Sequence, residues 1–180
     1  MAQMPLQEIW DMHRFPEQDM YPFAEFLRHK AAGTILEIGV RGGSSTSAFL
    51  LGLEQQGGHL YSVDIDATCG DLLTHPQWTF IDSNSGDVAS VMSHVPSGSL
   101  DILFIDGDHT HPVVDNDLYG YAPFVRDGGL ILMHDIVPDY EYVFEDVRDV
   151  YHKFLTETGY IHFELPGMFG MGVIYKGKPK

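Results

Sequence analysis

The chain has 180 residues, of which 44% are hydrophobic and 20% are charged, a balance typical of one soluble domain. Ten Lys and Arg residues stand against 26 Asp and Glu residues, so the formal net charge is -16. We therefore expect neither nucleic acid nor a membrane as a partner, because polyanions and anionic surfaces attract basic proteins. The single cysteine excludes an internal disulfide, and no apolar stretch is long enough to span a membrane, which together favour a cytoplasmic protein.

The chain alternates between strand and helix patterns. Residues 1–33 are rich in aromatic residues and methionine and predict short helical pieces that lead into the first strand. An apolar run over 34–39 ends in glycine, and a helix is expected over 44–56, which together predict strand, turn and helix. The same order recurs, with strands expected at 59–64, 77–82, 101–106 and 129–134, and helices near 86–94, 112–124 and 140–156.

The strand patterns indicate the fold class. Residues 102–105 and 130–133 are apolar at consecutive positions, as expected of parallel strands that are covered on both faces. We therefore predict an α/β doubly wound fold, with residues 34–180 as one compact unit. Two late strand candidates, 162–165 and 171–175, are close enough to form an antiparallel pair. The last helix carries one apolar stripe that should pack on the sheet, formed by Val143, Val147, Val150, Tyr151, Phe154 and Leu155.

The turn after the first strand has the composition of a cofactor-binding turn. Residues 37–45 read EIGVRGGSS, in which glycines let the backbone approach a ligand and the next helix offers N–H groups to an anion. Asp64 closes the second strand about 20 residues later, where an acid accepts hydrogen bonds from a ribose. Arg41 stands where a dinucleotide fingerprint has its second glycine, which argues against a pyrophosphate ligand.

Acids and histidines follow the fourth and fifth predicted strands. Neighbouring strands lie about 4.8 Å apart, so side chains at adjacent strand ends can meet on one cation. Oxygen ligands from Asp106 and Asp135 suit Mg²⁺ or Mn²⁺, whereas an imidazole from His134 shifts the preference toward Mn²⁺, Fe²⁺ or Zn²⁺. The alternative is that the two acids cap helices or serve the cofactor.

Taken together, these motifs resemble the class I S-adenosylmethionine-dependent methyltransferases, whose first motif is an acidic residue followed by a glycine-rich turn. The resemblance covers residues 34–175. It is closest to the small-molecule O-methyltransferases of the macrocin and cephalosporin hydroxylase-like group, and more distant to catechol O-methyltransferase. It implies a Rossmann-like sheet of seven strands, mostly parallel with an antiparallel final strand, and S-adenosylmethionine as the cofactor.

The resemblance also implies roles for individual positions in the cofactor site. The implied cofactor-binding set is Glu37, Gly39, Gly43, Ser45, Asp64, Ser85 and Asp106. Within it, Ser45 would bind the methionine carboxylate, Asp64 the ribose hydroxyls and Ser85 the adenine. Glu37, Gly39 and Gly43 would shape the pocket.

A second implied set concerns the reaction itself. Metal-dependent O-methyltransferases carry an acid after the fourth strand and a pair of ligands after the fifth, and Asp106, His134 and Asp135 hold those positions here. A basic residue three positions beyond the first acid is the general base of those relatives, which corresponds to His109. His134 departs from the pattern, since relatives carry an acid there. The predicted reaction is methyl transfer to a hydroxyl of a small molecule, assisted by His109 and a divalent cation, with Mg²⁺ or Mn²⁺ expected.

Three alternatives stay open at this point. A nicotinamide-dependent oxidoreductase would use the same frame, although Arg41 and the late strand pair argue against it. A metal-independent methyltransferase would need no cation between the strand ends. A module that holds the cofactor without catalysis would have no evident use for His109. The exposed edge of the final strands could also support a homodimer.

Overall fold

The structure of the protein, a computed structural model, describes residues 3–13, 20–137, 145–167 and 169–177. The strands are β1 (Gly33–Ile38), β2 (Gly58–Asp64), β3 (Trp78–Asp82), β4 (Leu100–Ile105), β5 (Val125–His134), β6 (Ile161–Leu165) and β7 (Met171–Tyr175). The helices are α1 (Leu6–Met12), α2 (Tyr21–Lys30), α3 (Ser44–Gln56), α4 (Val88–Ser93), α5 (Val113–Tyr121) and α6 (Glu145–Thr158). Short 3₁₀ helices cover Ala67–Asp71 and Ala122–Phe124.

The seven strands form one sheet in the order β3-β2-β1-β4-β5-β7-β6. Strands β1 to β5 pair in parallel, and β7 lies antiparallel between β5 and β6. The predicted fold class, a doubly wound Rossmann-like α/β sheet with an antiparallel final strand, is confirmed. Because the strand order reverses beside β1 and β4, their carboxyl ends open a crevice of the kind that binds ligands in such sheets.

Most predicted strands begin and end within one residue of the observed ones, but β5 begins earlier. The prediction started it at 129, whereas pairing of Val125 with Leu100 starts it four residues sooner. A register shift between Leu100 and Ile102 carries the strand across polar residues and glycines that are typical of a turn. The helix predicted over 140–156 is observed as α6, and its residues 140–144 lie outside the described residues.

Two apolar layers cover the sheet. Helices α1, α2 and α3 pack on one face, and α4, α5 and α6 pack on the other. In β4, Ile102 and Phe104 face the first layer, and Leu103 and Ile105 face the second, so the consecutive apolar pattern is explained by burial on both sides. The described members of the α6 stripe are all buried in the second layer: Val147, Val150, Tyr151, Phe154 and Leu155. Val143 lies outside the described residues.

The N-terminal helices pack against α3 and thereby reach the glycine turn. A Cβ at Gly52 of α3 would lie 2.2 Å from the Arg28 carbonyl oxygen of α2, so the two helices cross where only glycine fits. Ile9 of α1 is buried beside the start of α3. In the described ranges, no helix combines the length and apolar character needed to cross a bilayer. Strand β6 forms the sheet edge with Ile161 and Phe163 exposed, and the homodimer expected at that edge stays a prediction.

Candidate active site

A tight turn at the end of β1 brings the start of α3 to the carboxyl edge of the sheet. Gly39 has a φ of 92°, and a Cβ there would lie 2.0 Å from the Asp106 carbonyl oxygen, so glycine is required where β1 passes β4. Arg41 has a φ of 48°, the left-handed conformation that glycine adopts easily. Arg41 therefore replaces a glycine of the dinucleotide fingerprint but adopts the backbone conformation that glycine favours.

Asp64 ties the end of β2 to this turn. Its Oδ2 accepts hydrogen bonds from the backbone N–H of Val40 at 2.8 Å and of Arg41 at 3.2 Å, and its Oδ1 accepts one from Asp66 at 2.9 Å. Burial alone would raise the pKa of Asp64, but these N–H donors outweigh it and lower the pKa. The Cys69 thiol, a weak donor, also contacts this carboxylate and lowers its pKa.

Glu37 lies beneath the turn and is fully buried. Its carboxylate accepts hydrogen bonds from Ser45 Oγ at 2.6 Å, Thr46 Oγ1 at 2.8 Å and Ser62 Oγ at 2.6 Å. Trp78 Nε1 donates to Ser62 Oγ at 2.9 Å. Burial raises the pKa of Glu37 to about 7, more than the three hydroxyls lower it. The network joins three strands to the first turn of α3 and so fixes that turn from below.

Replacing Glu37 by glutamine is expected to remove a pH dependence of stability. Because burial raises the folded-state pKa above the ordinary 4.5, the wild-type free energy of unfolding should fall as the pH rises from 4.5 to about 7. A shift of this size corresponds to roughly 3 kcal/mol. Glutamine is uncharged and similar in size to glutamate. In urea unfolding at pH 5 and pH 8, the free energy of unfolding of Glu37→Gln should therefore depend less on pH than that of the wild type, and it should exceed the wild-type value above pH 7. Glu8→Gln, on the exposed side of α1, is the matched control. An unchanged pH slope in Glu37→Gln would contradict the prediction.

Ser44 and Ser45 differ in what their hydroxyls contact. The Ser45 hydroxyl donates to Glu37, whereas the Ser44 hydroxyl is buried with no hydrogen-bond partner in the described part of the chain. Ser44 is the first residue of α3, where backbone N–H groups are also free. The resemblance implied Ser45 as the ligand of the methionine carboxylate, and that role stays a prediction. The two serines are neighbours in the sequence, and the hydrogen bonding of their hydroxyls distinguishes them.

The segment after β3 is held in place by α5. Tyr121 Oη donates to the Ser85 carbonyl oxygen at 2.5 Å. The Asp117 carboxyl is buried near the Ser85 side chain, and burial raises its pKa to about 6. No motif in the sequence pointed to Asp117 or Tyr121. Asp117 lies three residues after Val114 on the buried face of α5, and this helical spacing could have predicted that Asp117 is buried.

The predicted reactive residues come together at the ends of β4 and β5. Pairing of Ile105 with Met133 places the residues that follow them side by side. His134 Nδ1 lies 3.4 Å from Asp106 Oδ1 and 3.2 Å from Asp135 Oδ2. His109 Nε2 lies 2.8 Å from Asp135 Oδ2 and 3.8 Å from Asp106 Oδ1. The structure thus gathers two carboxylates and two imidazoles in one cluster.

The backbone at Asp135 is strained. Asp135 has a φ of 62°, is buried, and donates its N–H to the Gly170 carbonyl oxygen at 3.1 Å. A residue other than glycine in this region costs of order 1 to 3 kcal/mol and persists where the surrounding structure enforces it, often at functional sites. The bond to Gly170 is one such restraint.

Electrostatics in the cluster favour an ionised Asp135 and protonated imidazoles. Burial alone would lower the pKa of His109, but hydrogen bonds and charge from Asp106 and Asp135 raise it to about 9. The pKa of His134 is likewise raised to about 10, despite burial, by the same two acids. Burial opposes ionisation of Asp135, yet contacts with both histidines hold its pKa well below the ordinary value. The cluster therefore concentrates negative charge that either protons or a cation can balance.

The donor set fits a divalent cation. Asp106, His134 and Asp135 each offer one ligand atom, and these atoms lie within 4.8 Å of one another. Donors about 2.1 Å from one ion lie about 3.0 to 3.4 Å apart in octahedral or tetrahedral coordination. The separations of 3.4 and 3.2 Å at His134 Nδ1 agree with that spacing.

An apolar wall closes one side of the cluster. The Phe23 ring meets the His134 ring edge to face, with centroids 5.2 Å apart. His134 Nε2 is buried and has no hydrogen-bond partner among the described residues. Phe23 belongs to α2, where its pattern in the sequence indicates only core packing, so no sequence signal pointed to it as part of the site.

A family described as a methyltransferase domain matches residues 36–136, which is more than half of the chain and spans the turn and the cluster. The chain belongs to this family. The predicted recognition as a class I S-adenosylmethionine-dependent methyltransferase is confirmed, and the nicotinamide oxidoreductase alternative is set aside. The antiparallel β7 inserted beside β5 agrees with this assignment.

Solved structures share the fold. A Podospora anserina methyltransferase bound to SAH is 15% identical, with a TM-score of 0.74 over 97% of this chain and 89% of that chain. A Bacillus cereus O-methyltransferase in complex with SAH is 19% identical, with a TM-score of 0.67 over 95% and 90%. The MycE methyltransferase of the mycinamycin pathway, in complex with Mg, SAH and mycinamycin VI, is 20% identical, with a TM-score of 0.66 over 98% of this chain. The present chain covers only 57% of MycE.

Proposed function

We propose that this methyltransferase transfers the methyl group of S-adenosylmethionine to a hydroxyl of a small molecule, with His109 as general base beside a divalent cation. The observation that carries the proposal is the cluster at the ends of β4 and β5. There His109 Nε2 lies 2.8 Å from Asp135 Oδ2, and the carboxylates of Asp106 and Asp135 share His134 Nδ1 as a neighbour. A proton acceptor and a cation-binding donor set thus lie side by side.

The chemistry requires alignment and removal of one proton. The acceptor oxygen forms a bond to the methyl carbon, the methyl C–S bond breaks, and its electron pair stays on sulfur, which yields S-adenosylhomocysteine. The hydroxyl proton passes to the imidazole of His109. An imidazole of ordinary pKa, about 6.5, is well suited to this transfer at neutral pH.

Asp106, His134 and Asp135 would hold the cation. It would supply positive charge that lowers the pKa of an acceptor hydroxyl beside it and of the neighbouring imidazole. This matters for His109, whose pKa the two carboxylates otherwise raise to about 9. MycE, a relative in fold, is known in complex with Mg and a small-molecule ligand, which supports a cation in this chain.

The turn after β1 supplies the cofactor site. We assign the methionine carboxylate to the buried Ser44 hydroxyl and the N-terminus of α3, since the Ser45 hydroxyl is bonded to Glu37. Asp64 would accept the ribose hydroxyl in place of the Cys69 thiol, which is a weak donor. Glu37 and Ser45 then act from beneath, by fixing the first turn of α3.

The proposal is tested by cofactor binding followed by product analysis. Thermal unfolding is measured with S-adenosylmethionine, S-adenosylhomocysteine and NAD. The first two compounds should raise the unfolding temperature, and NAD should not. Release of S-adenosylhomocysteine is then measured with matched sugars, phenols, amines and thiols. Transfer to hydroxyl compounds supports the proposal, and transfer to amines or thiols alone overturns it.

A metal-independent methyltransferase is the second candidate. The observation in its favour is that the two imidazoles already balance the two carboxylates through contacts of 2.8 to 3.4 Å. Full turnover in EDTA, with loss of turnover in a His109 variant, would establish this second mechanism.

Asp64→Asn is expected to weaken S-adenosylmethionine binding by about 1 to 3 kcal/mol, because a hydrogen bond to a charged acceptor is among the stronger ones. Isothermal titration measures the change. Asp66→Asn is the matched control, since its exposed carboxylate bonds to Thr68 in the adjoining turn. Equal losses in the two variants would show that Asp64 acts by shaping the loop and not by contact with the ribose.

A further inference from the structure

His134 stands where the resemblance predicts an acid, and its surroundings determine which atom it offers. Nδ1 faces Asp106 and Asp135, at 3.4 and 3.2 Å. Nε2 is buried, with no hydrogen-bond partner among the described residues. The imidazole therefore presents a single nitrogen to the carboxylates.

The position of this nitrogen is fixed by the fold. His134 is the last residue of β5 and pairs with Met171 of β7, which is fully buried. Its side chain is only 2% exposed and lies against the Phe23 ring. This packing holds the His134 imidazole beside the two carboxylates, so the donor set is not made of oxygen atoms alone. An ion bound between Asp106 and Asp135 would thus meet the nitrogen as well.

Ions differ in how they accept such a ligand. Mg²⁺ is bound by carboxylates and retains several water molecules in an octahedral shell of oxygen atoms. Imidazole is a ligand typical of Zn²⁺ and Fe²⁺, and Mn²⁺ tolerates it together with carboxylates. Two carboxylates and one imidazole are accordingly a donor set for first-row transition ions.

We propose that the cation site of this chain selects a first-row transition ion, Mn²⁺, Fe²⁺ or Zn²⁺, over Mg²⁺, because His134 supplies a nitrogen ligand through Nδ1. The inference rests on the cation assigned above to Asp106 and Asp135. It goes further by naming Nδ1 of His134 as the ligand atom and by stating that the site selects against Mg²⁺.

Binding of Mn²⁺ to the full chain tests the inference without any methyl transfer. Electron paramagnetic resonance counts bound Mn²⁺, and its pulsed form detects a coordinated imidazole nitrogen by its coupling to the ion. We expect one bound Mn²⁺ with nitrogen coupling, and Mg²⁺ as a poor competitor. His134→Gln should abolish the coupling. His134→Glu should abolish the coupling too and should lower the ratio of the Mn²⁺ affinity to the Mg²⁺ affinity.

Two checks keep the outcomes distinct. His94→Gln removes an exposed histidine at the end of α4 and should leave coupling and affinity unchanged. Thermal unfolding with S-adenosylmethionine shows whether each variant folds and binds the cofactor. Coupling that persists in a folded His134→Gln would overturn the inference by assigning the nitrogen elsewhere. Mn²⁺ bound without coupling, in an enzyme that methylates hydroxyl compounds, would overturn the inference alone and leave the proposed function intact.

Discussion

His109→Gln is expected to slow methyl transfer by about 10² to 10⁴-fold, the usual contribution of a positioned general base. The side chain lies at the edge of the cluster, with Nε2 2.8 Å from Asp135 Oδ2 and within reach of an acceptor beside Asp106. Glutamine retains polar atoms but cannot take up a proton at neutral pH. Steady-state release of S-adenosylhomocysteine, with an acceptor that the wild type methylates, gives kcat and KM separately. The loss should fall on kcat.

The same variant must be shown to retain its cofactor and cation. Titration with S-adenosylmethionine should give the wild-type value, and Mn²⁺ should still bind, because His109 is not among the three residues that offer ligand atoms. His94→Gln again serves as the histidine control. Wild-type kcat in His109→Gln would show that another group, or water, removes the proton. A loss of Mn²⁺ would instead place His109 among the ligands.

The fold could be predicted from the sequence because its signals are local and repeated. Consecutive apolar residues such as 102–105 mark strands covered on both faces, and the pattern is independent of distant contacts. The start of β5 could not be predicted, since it depends on the pairing of Val125 with Leu100, which lies in another strand. Polar residues at 126–127 predict a turn when they are considered alone.

In the site, as in the fold, features with a local sequence signal could be predicted, and features that depend on packing could not. The proximity of Asp106, His109 and Asp135 could be predicted because these residues follow predicted strands, and parallel strands end at one edge of the sheet. The different hydrogen bonding of the Ser44 and Ser45 hydroxyls could not be predicted, because it depends on one hydroxyl turning toward Glu37. The contribution of Phe23 depends on how α2 packs, which no motif encodes.

Asp135→Asn is expected to reduce turnover to the level found in EDTA, a loss of at least about 100-fold, larger than that for an outer partner of a metal ligand. The backbone at Asp135 has a φ of 62°, and asparagine tolerates this left-handed conformation better than alanine does. Asparagine thus removes the charge while it preserves the strained turn. Cation affinity should fall with the rate, because a small donor set that loses a charged ligand binds poorly.

Asp108→Asn is the matched control for charge, because Asp108 lies in the same loop as Asp106 and bonds to Thr110. It should retain turnover and cation binding, and it should lose both in EDTA as the wild type does. If Asp135→Asn were inactive while the wild type worked fully in EDTA, Asp135 would act by orienting His109 through their 2.8 Å contact. If Asp135→Asn and the wild type in EDTA both retained turnover, neither the Asp135 carboxylate nor the proposed cation would have a role in the reaction.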